Sequence, residues 1–134
     1  MAVQILKSVR DLMIGHAKAG YPNEACGILA GKNGSPVSVF YPMRNADESA
    51  ISYFMEPKEQ FVIFKKMRET GLEMKGIFHS HVASSAVPSQ KDVRLAFYPE
   101  ASYVIVSLSD IEKPVLRSFK IDREVVTEEK IEIV

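Results

Sequence analysis

Short apolar runs alternate along this chain with two segments of helical period, and that alternation limits the possible folds more than any other feature. Ile5, Leu6, Val9, Leu12, Met13 and Ala17 recur at three- and four-residue spacing, which predicts an amphipathic helix over residues 4–19. Gly20 and Tyr21-Pro22-Asn23 stop it. Ala25 to Ala30 is a short apolar run, Gly31-Lys32-Asn33-Gly34 offers the positive φ of a hairpin turn, and Val37 to Tyr41 reads as the returning strand. A polar loop from Pro42 to Ala50 leads to a further strand, Ile51 to Met55. Pro57 opens a second helix with Phe61, Phe64 (or Val62) and Met67 along a core-facing stripe, and Gly71 closes it. Lys75 to Phe78 reads as a strand that runs into His79-Ser80-His81. After a loop at 82–88, Ser89 to Phe97 reads as a short helix. Tyr103 to Leu108 and Val115 to Ile121 are predicted strands joined by a turn at Ser109-Asp110. Val125 to Val134 is predicted as an edge strand with Thr127, Glu128 and Glu129 on its wet side. Strands outnumber helices but helices interrupt them, so the class is α/β or α+β with a mixed sheet.

Nothing divides the chain: 134 residues without a repeat, a low-complexity tract or a long linker suit one domain, 1–134. Lys and Arg total 17 and Asp and Glu total 17, so no net field draws in nucleic acid or an anionic membrane. A single cysteine excludes an internal disulfide framework and a four-thiolate zinc site. The apolar runs fall far short of the roughly 18 residues of a membrane helix. Polar residues interrupt positions 1–13 every few residues, unlike a signal peptide. The expectation is a soluble, cytoplasmic protein.

The chemistry gathers in residues 79–92. Side chains two apart on an extended chain point the same way, so His79 and His81 present both imidazoles on one side. Two neutral imidazoles and one carboxylate make a three-ligand zinc set whose fourth position is open to water. Asp92 can supply the carboxylate if the loop folds back and a helix starts at Ser89. Blander readings exist for each piece. A His-x-His pair can face solvent or pack at a strand end, and Ser89-x-x-Asp92 is a variant capping box. The cap and the metal site are compatible, since a cap that fixes the helix start also orients Asp92.

This run resembles the signature of the JAMM (MPN+) metalloprotease family: an upstream glutamate, then His-Ser/Thr-His, seven residues, Ser, two residues, Asp. His79, Ser80, His81, Ser89 and Asp92 stand in register with it. Pro22-Asn23-Glu24-Ala25-Cys26-Gly27-Ile28-Leu29-Ala30-Gly31 resembles the family's Glu-x-x-Gly-x-Leu-x-Gly strand. Val82 departs from the proline that many members carry after the second histidine, which removes a turn residue and no ligand. The likeness spans essentially the whole chain and is closest to small stand-alone prokaryotic members.

The resemblance implies a single-domain α/β sandwich, with a curved mixed sheet flanked by helices, similar to cytidine deaminases. It also implies one zinc ion per chain held by His79, His81 and Asp92, with the bound water's pKa lowered toward about 7. Glu24 becomes the general acid–base, since a leaving amine needs a proton that zinc cannot give. Ser89 becomes a donor to the oxyanion. Ser80 should point away from the histidines and serve structure, Cys26 should be a small buried residue, and His16 a packed or surface histidine. The implied activity is hydrolysis of a peptide or isopeptide bond after the C-terminal Gly-Gly of a ubiquitin-like sulfur-carrier protein. Such a tail, lacking side chains, can add to a sheet edge and thread a narrow cleft. A small-molecule amidase acting on amino-acid conjugates is a rival, as is a non-catalytic scaffold, although retention of every ligand weighs against the latter.

Overall fold

Ala2-Val3-Gln4-Ile5 forms a strand, β1 (Ala2–Ile5), where the predicted helix was to begin; the computed structural model describes residues 2–134. Val3 and Ile5 alternate inward and are buried, and β1 pairs in parallel with the C-terminal strand. The helix, α1 (Lys7–Gly20), starts after that strand and buries Val9, Met13 and Ala17, four residues apart, while Leu12 of the expected stripe is exposed.

β2 (Cys26–Gly31) and β3 (Val39–Met43) form the predicted hairpin, and of its four turn residues Gly34 takes the positive φ, 78°. Ile51 to Met55 does not form a strand. Its backbone is taken instead by the Asn45 side chain, which accepts from Phe54 N at 3.1 Å and donates to Ser52 O at 2.9 Å. α2 (Pro57–Glu69) follows, but Ile63 and Met67 are the buried residues. Phe64 packs against the core, whereas Phe61 is 64% exposed and does not belong to it.

β4 (Glu73–His81) carries the histidines as its last residues. α3 (Gln90–Arg94) is shorter than predicted, and β5 (Ser102–Ser107), β6 (Val115–Asp122) and β7 (Val125–Ile133) complete the chain. The strands make one seven-stranded sheet in the order β1-β7-β6-β5-β4-β2-β3, with parallel pairs at β1/β7 and β4/β5. β7 is therefore an interior strand, and Glu129, predicted to be wet, is buried and accepts a 2.8 Å bond from Ser118 Oγ. The two ends of the sheet meet: Ile5 bridges to Val37, and Val37 N donates to Gln4 O at 2.8 Å. That contact requires a strongly curved sheet.

The helices cover opposite faces. Leu29, Phe78, Val104 and Val106 pack with Val9, Met13 and Ala17 of α1. Cys26, Ile28, Ile77, Tyr103 and Ile105 pack with Ile63 and Met67 of α2. Each fully buried Val, Leu, Ile, Phe or Met among them contributes about 1.5–3 kcal/mol. Alternation along β4 puts Ile77 in the α2-side core, so His79 and His81 continue that face. No helix among the described residues is long and apolar enough to cross a membrane.

Candidate metal centre

His79 and His81 leave β4 on the same face with their Nε2 atoms 3.1 Å apart. Asp92 reaches them from α3. A reciprocal cap fixes that helix start: Ser89 N donates to Asp92 Oδ2 at 2.9 Å, and Asp92 N donates to Ser89 Oγ at 3.1 Å. The same Oδ2 lies 3.1 Å from His79 Nε2 and 3.0 Å from His81 Nε2. The capping box and the three-residue cluster thus coexist. Among the described residues this is the one group of three or more such side chains able to hold a metal ion.

The donor set suits a cation. His81 Nδ1 lies 2.7 Å from the Ser85 carbonyl, which can only accept, so Nδ1 carries a proton and the neutral ring offers an Nε2 lone pair. That lone pair, the Asp92 carboxylate and His79 Nε2 converge within 3.1 Å. With lone pairs on both ring nitrogens, three acceptors so close repel unless a positive charge, a metal ion or a proton, sits among them. Around tetrahedral zinc with bonds near 2.0–2.1 Å, neighbouring donors stand about 3.3 Å apart, close to the observed spacing. Where protons rather than an ion fill that place, burial lowers His79 and would raise Asp92, but hydrogen bonds from both histidines hold the Asp92 carboxyl well below the usual carboxylate range. His81 moves up, because its bonds to Asp92 and to Ser85 outweigh its burial.

Glu24 joins the site from the other direction. Ser80 points away from the histidines as expected and is fully buried. Its Oγ accepts from Ala25 N at 2.8 Å, and its own N donates to Ala25 O at 3.0 Å. These bonds tie the residue after Glu24 to the strand that carries both histidines. Glu24 is 6% exposed and its Oε1 has no hydrogen-bond partner. Burial pushes its carboxyl up to about 7, with His81 opposing and Asp92 reinforcing the shift. Gly27 of the Glu-x-x-Gly pattern is needed for close approach: a Cβ there would lie 2.5 Å from the Phe40 ring and 2.6 Å from the Tyr41 carbonyl.

Cys26 is fully buried, and burial pushes its thiol up to about 12. His16 is packed, with Nε2 3.1 Å from Cys26 O and its ring edge-on to Phe40. Two residues that the sequence did not single out matter here. Tyr53 stacks on His79, with ring centroids 4.6 Å apart and planes at 23°. Asn45 holds the backbone around Tyr53 and that of Glu24. A cavity of about 170 Å³ opens against Asp92, walled by Tyr53, Phe54, Met55, Leu95 and Tyr98.

The family model for prokaryotic homologs of the JAB domain matches residues 6–122, a span containing Glu24, His79, His81, Ser89 and Asp92. The chain belongs to this prokaryotic JAB family. It is thus the small prokaryotic kind of JAB/MPN protein that the motif implied. This JAB domain is 41% identical over 125 residues to a protein of Mycobacterium tuberculosis named CysO-cysteine peptidase, covering 92% of this chain and 86% of that one. It is 37% identical over 70 residues to a Pyrococcus furiosus protein named desampylase, covering 52% of this chain and 49% of the relative. A solved structure from Desulfitobacterium hafniense matches it with a TM-score of 0.89 at 43% identity, over 100% of this chain and 93% of that one.

Proposed function

We propose that this JAB domain is a zinc-dependent peptidase that cleaves the peptide or isopeptide bond after the C-terminal Gly-Gly of a ubiquitin-like sulfur-carrier protein. One observation carries the reading: two imidazoles and a carboxylate converge within 3.1 Å beside a buried glutamate whose carboxyl lies near 7. The relatives named CysO-cysteine peptidase and desampylase support hydrolysis of a bond to a small carrier protein.

In this reading His79, His81 and Asp92 hold the ion. A zinc ion bound so supplies Lewis acidity and a water whose pKa is brought to about 7. The Ser85 carbonyl keeps the His81 proton on Nδ1, leaving Nε2 free to ligate. Glu24, poised near pH 7, takes a proton from the attacking water and passes it to the departing amine nitrogen. Its Oε1, with no partner in the protein, is free for that proton. Ser89 Oγ accepts from Asp92 N, so its own O–H remains available to the oxyanion.

The test is incubation of zinc-loaded protein with a sulfur carrier extended by residues beyond Gly-Gly, followed by intact-mass analysis. Release of the extension by wild type, and not by Glu24→Gln, is expected. A carrier that stays intact at equimolar enzyme would sink the substrate assignment. Equal efficiency on a short Gly-Gly-X peptide would favour a small-molecule amidase instead.

A further inference from the structure

We propose that Tyr53 is the positioning residue for His79, and that Asn45 sets Tyr53 and Glu24 in a common frame. This inference rests on the metal-site reading above.

Imidazoles that ligate metals almost always donate their second ring N–H to a carboxylate, carbonyl or water, and that bond fixes the ring's orientation. His81 has such a bond, to the Ser85 carbonyl at 2.7 Å. His79 does not: its Nδ1 is buried without a partner. The His79 ring is fixed by a different contact. Tyr53 lies across its face at 4.6 Å and 23°, and rotating the imidazole about its Cβ–Cγ bond would swing its edge into the phenol ring. A flat neighbour therefore does for His79 what a hydrogen bond does for His81.

Tyr53 itself sits in coil, with no strand pairing to hold it. Asn45 provides the hold. Its Nδ2 donates to Ser52 O at 2.9 Å and its Oδ1 accepts from Phe54 N at 3.1 Å, so both neighbours of Tyr53 hang on one side chain. The remaining Nδ2 proton goes to Glu24 O at 2.9 Å, and Oδ1 also accepts from Asp47 N at 3.0 Å. Every donor and lone pair of the amide is used. Ala46 N, donating to Phe54 O at 2.9 Å, closes the same loop. One amide thus fixes the backbone of Glu24 relative to the ring that orients His79.

The experiment measures zinc affinity of the chelator-stripped, full-length chain by competition with a chromophoric chelator, with circular dichroism as the folding check. Tyr53→Ala should weaken zinc binding about 10- to 100-fold, the usual effect of losing an outer-shell partner. Tyr53→Phe, which keeps the flat face, should restore near wild-type affinity. Tyr53→Leu keeps apolar bulk without that face and should behave like alanine, so it decides the matter if the alanine variant unfolds. Asn45→Asp loses both donors and should weaken zinc in the same direction. Combined with Tyr53→Ala it should add little, because it acts on zinc through Tyr53. Wild-type affinity in both folded Tyr53→Ala and Tyr53→Leu overturns the inference, as does a Tyr53→Phe loss as large as that of alanine. A wild-type chain that takes up no zinc overturns the metal-site reading and this inference with it.

Discussion

Replacing Glu24 by glutamine should abolish peptidase activity and, at the same time, stabilise the metal-free protein at alkaline pH. The Glu24 carboxyl is 6% exposed, and burial raises it from an ordinary 4.5 to about 7. The folded state therefore holds this proton more tightly than the unfolded chain does. As pH rises from about 4.5 the unfolded chain ionises first, so Glu24 lowers stability progressively up to about pH 7 and by a constant amount above it. At roughly 1.4 kcal/mol per pKa unit, the full cost of the buried carboxylate is about 3 kcal/mol. Glutamine has the same shape and no charge to bury. In urea unfolding of chelator-treated protein, Glu24→Gln should gain on wild type by most of that amount between pH 5 and pH 8.5. Titrating groups that do not feel the Glu24 charge cancel in the difference, which leaves Glu24 together with its neighbours His81 and Asp92. A wild-type-to-variant gap that stays constant across this range would refute the reasoning, since it would mean that Glu24 ionises as freely in the folded protein as in the unfolded one.

Native mass spectrometry should find one zinc per wild-type chain and none after His81→Ala; zinc retained by the variant would remove His81 from the ligand set. Ser89→Ala should cut kcat about 100- to 1,000-fold through loss of an oxyanion donor, while loss of the helix cap costs about 1 kcal/mol of stability. Comparing turnover at saturating zinc with urea midpoints separates the two effects, and a stability change without a rate change would leave Ser89 only its cap. Gly27→Ala forces a methyl against the Phe40 ring and the Tyr41 carbonyl, and should cost about 1–3 kcal/mol in urea unfolding. An unchanged midpoint would mean that β2 and β3 can part without cost.

What the sequence determined by itself is local. His79 and His81 share a face because a strand alternates every residue, and Asp92 turns toward them because a capping box operates over three residues. Both devices are complete within residues 79–92, so the cluster was legible before any fold was known. The other half of the site was not derivable from spacing. Glu24 stands 55 residues before His79, and it arrives only because β2 pairs with β4 and Ser80 grips Ala25. The family resemblance could name Glu24, but only the folded chain buries it deeply enough to bring its carboxyl near 7. Ile51, Tyr53 and Met55 alternate as a strand would, yet the neighbouring backbone bonds go to Asn45 and the Tyr53 ring goes to His79. No periodicity encodes a side-chain amide competing for backbone partners. Glu129 looked wet because its own strand pattern is polar there, and it is buried because the sheet brings β1 from the other end of the chain alongside β7. Phe61 looked like core because it is apolar, but α2 turns Ile63 and Met67 inward and leaves Phe61 outside. Residue chemistry and short-range geometry brought together the three candidate metal donors. Long-range strand pairing, which no local pattern records, decided which groups lost their water and so which carboxyl was pushed up toward neutrality.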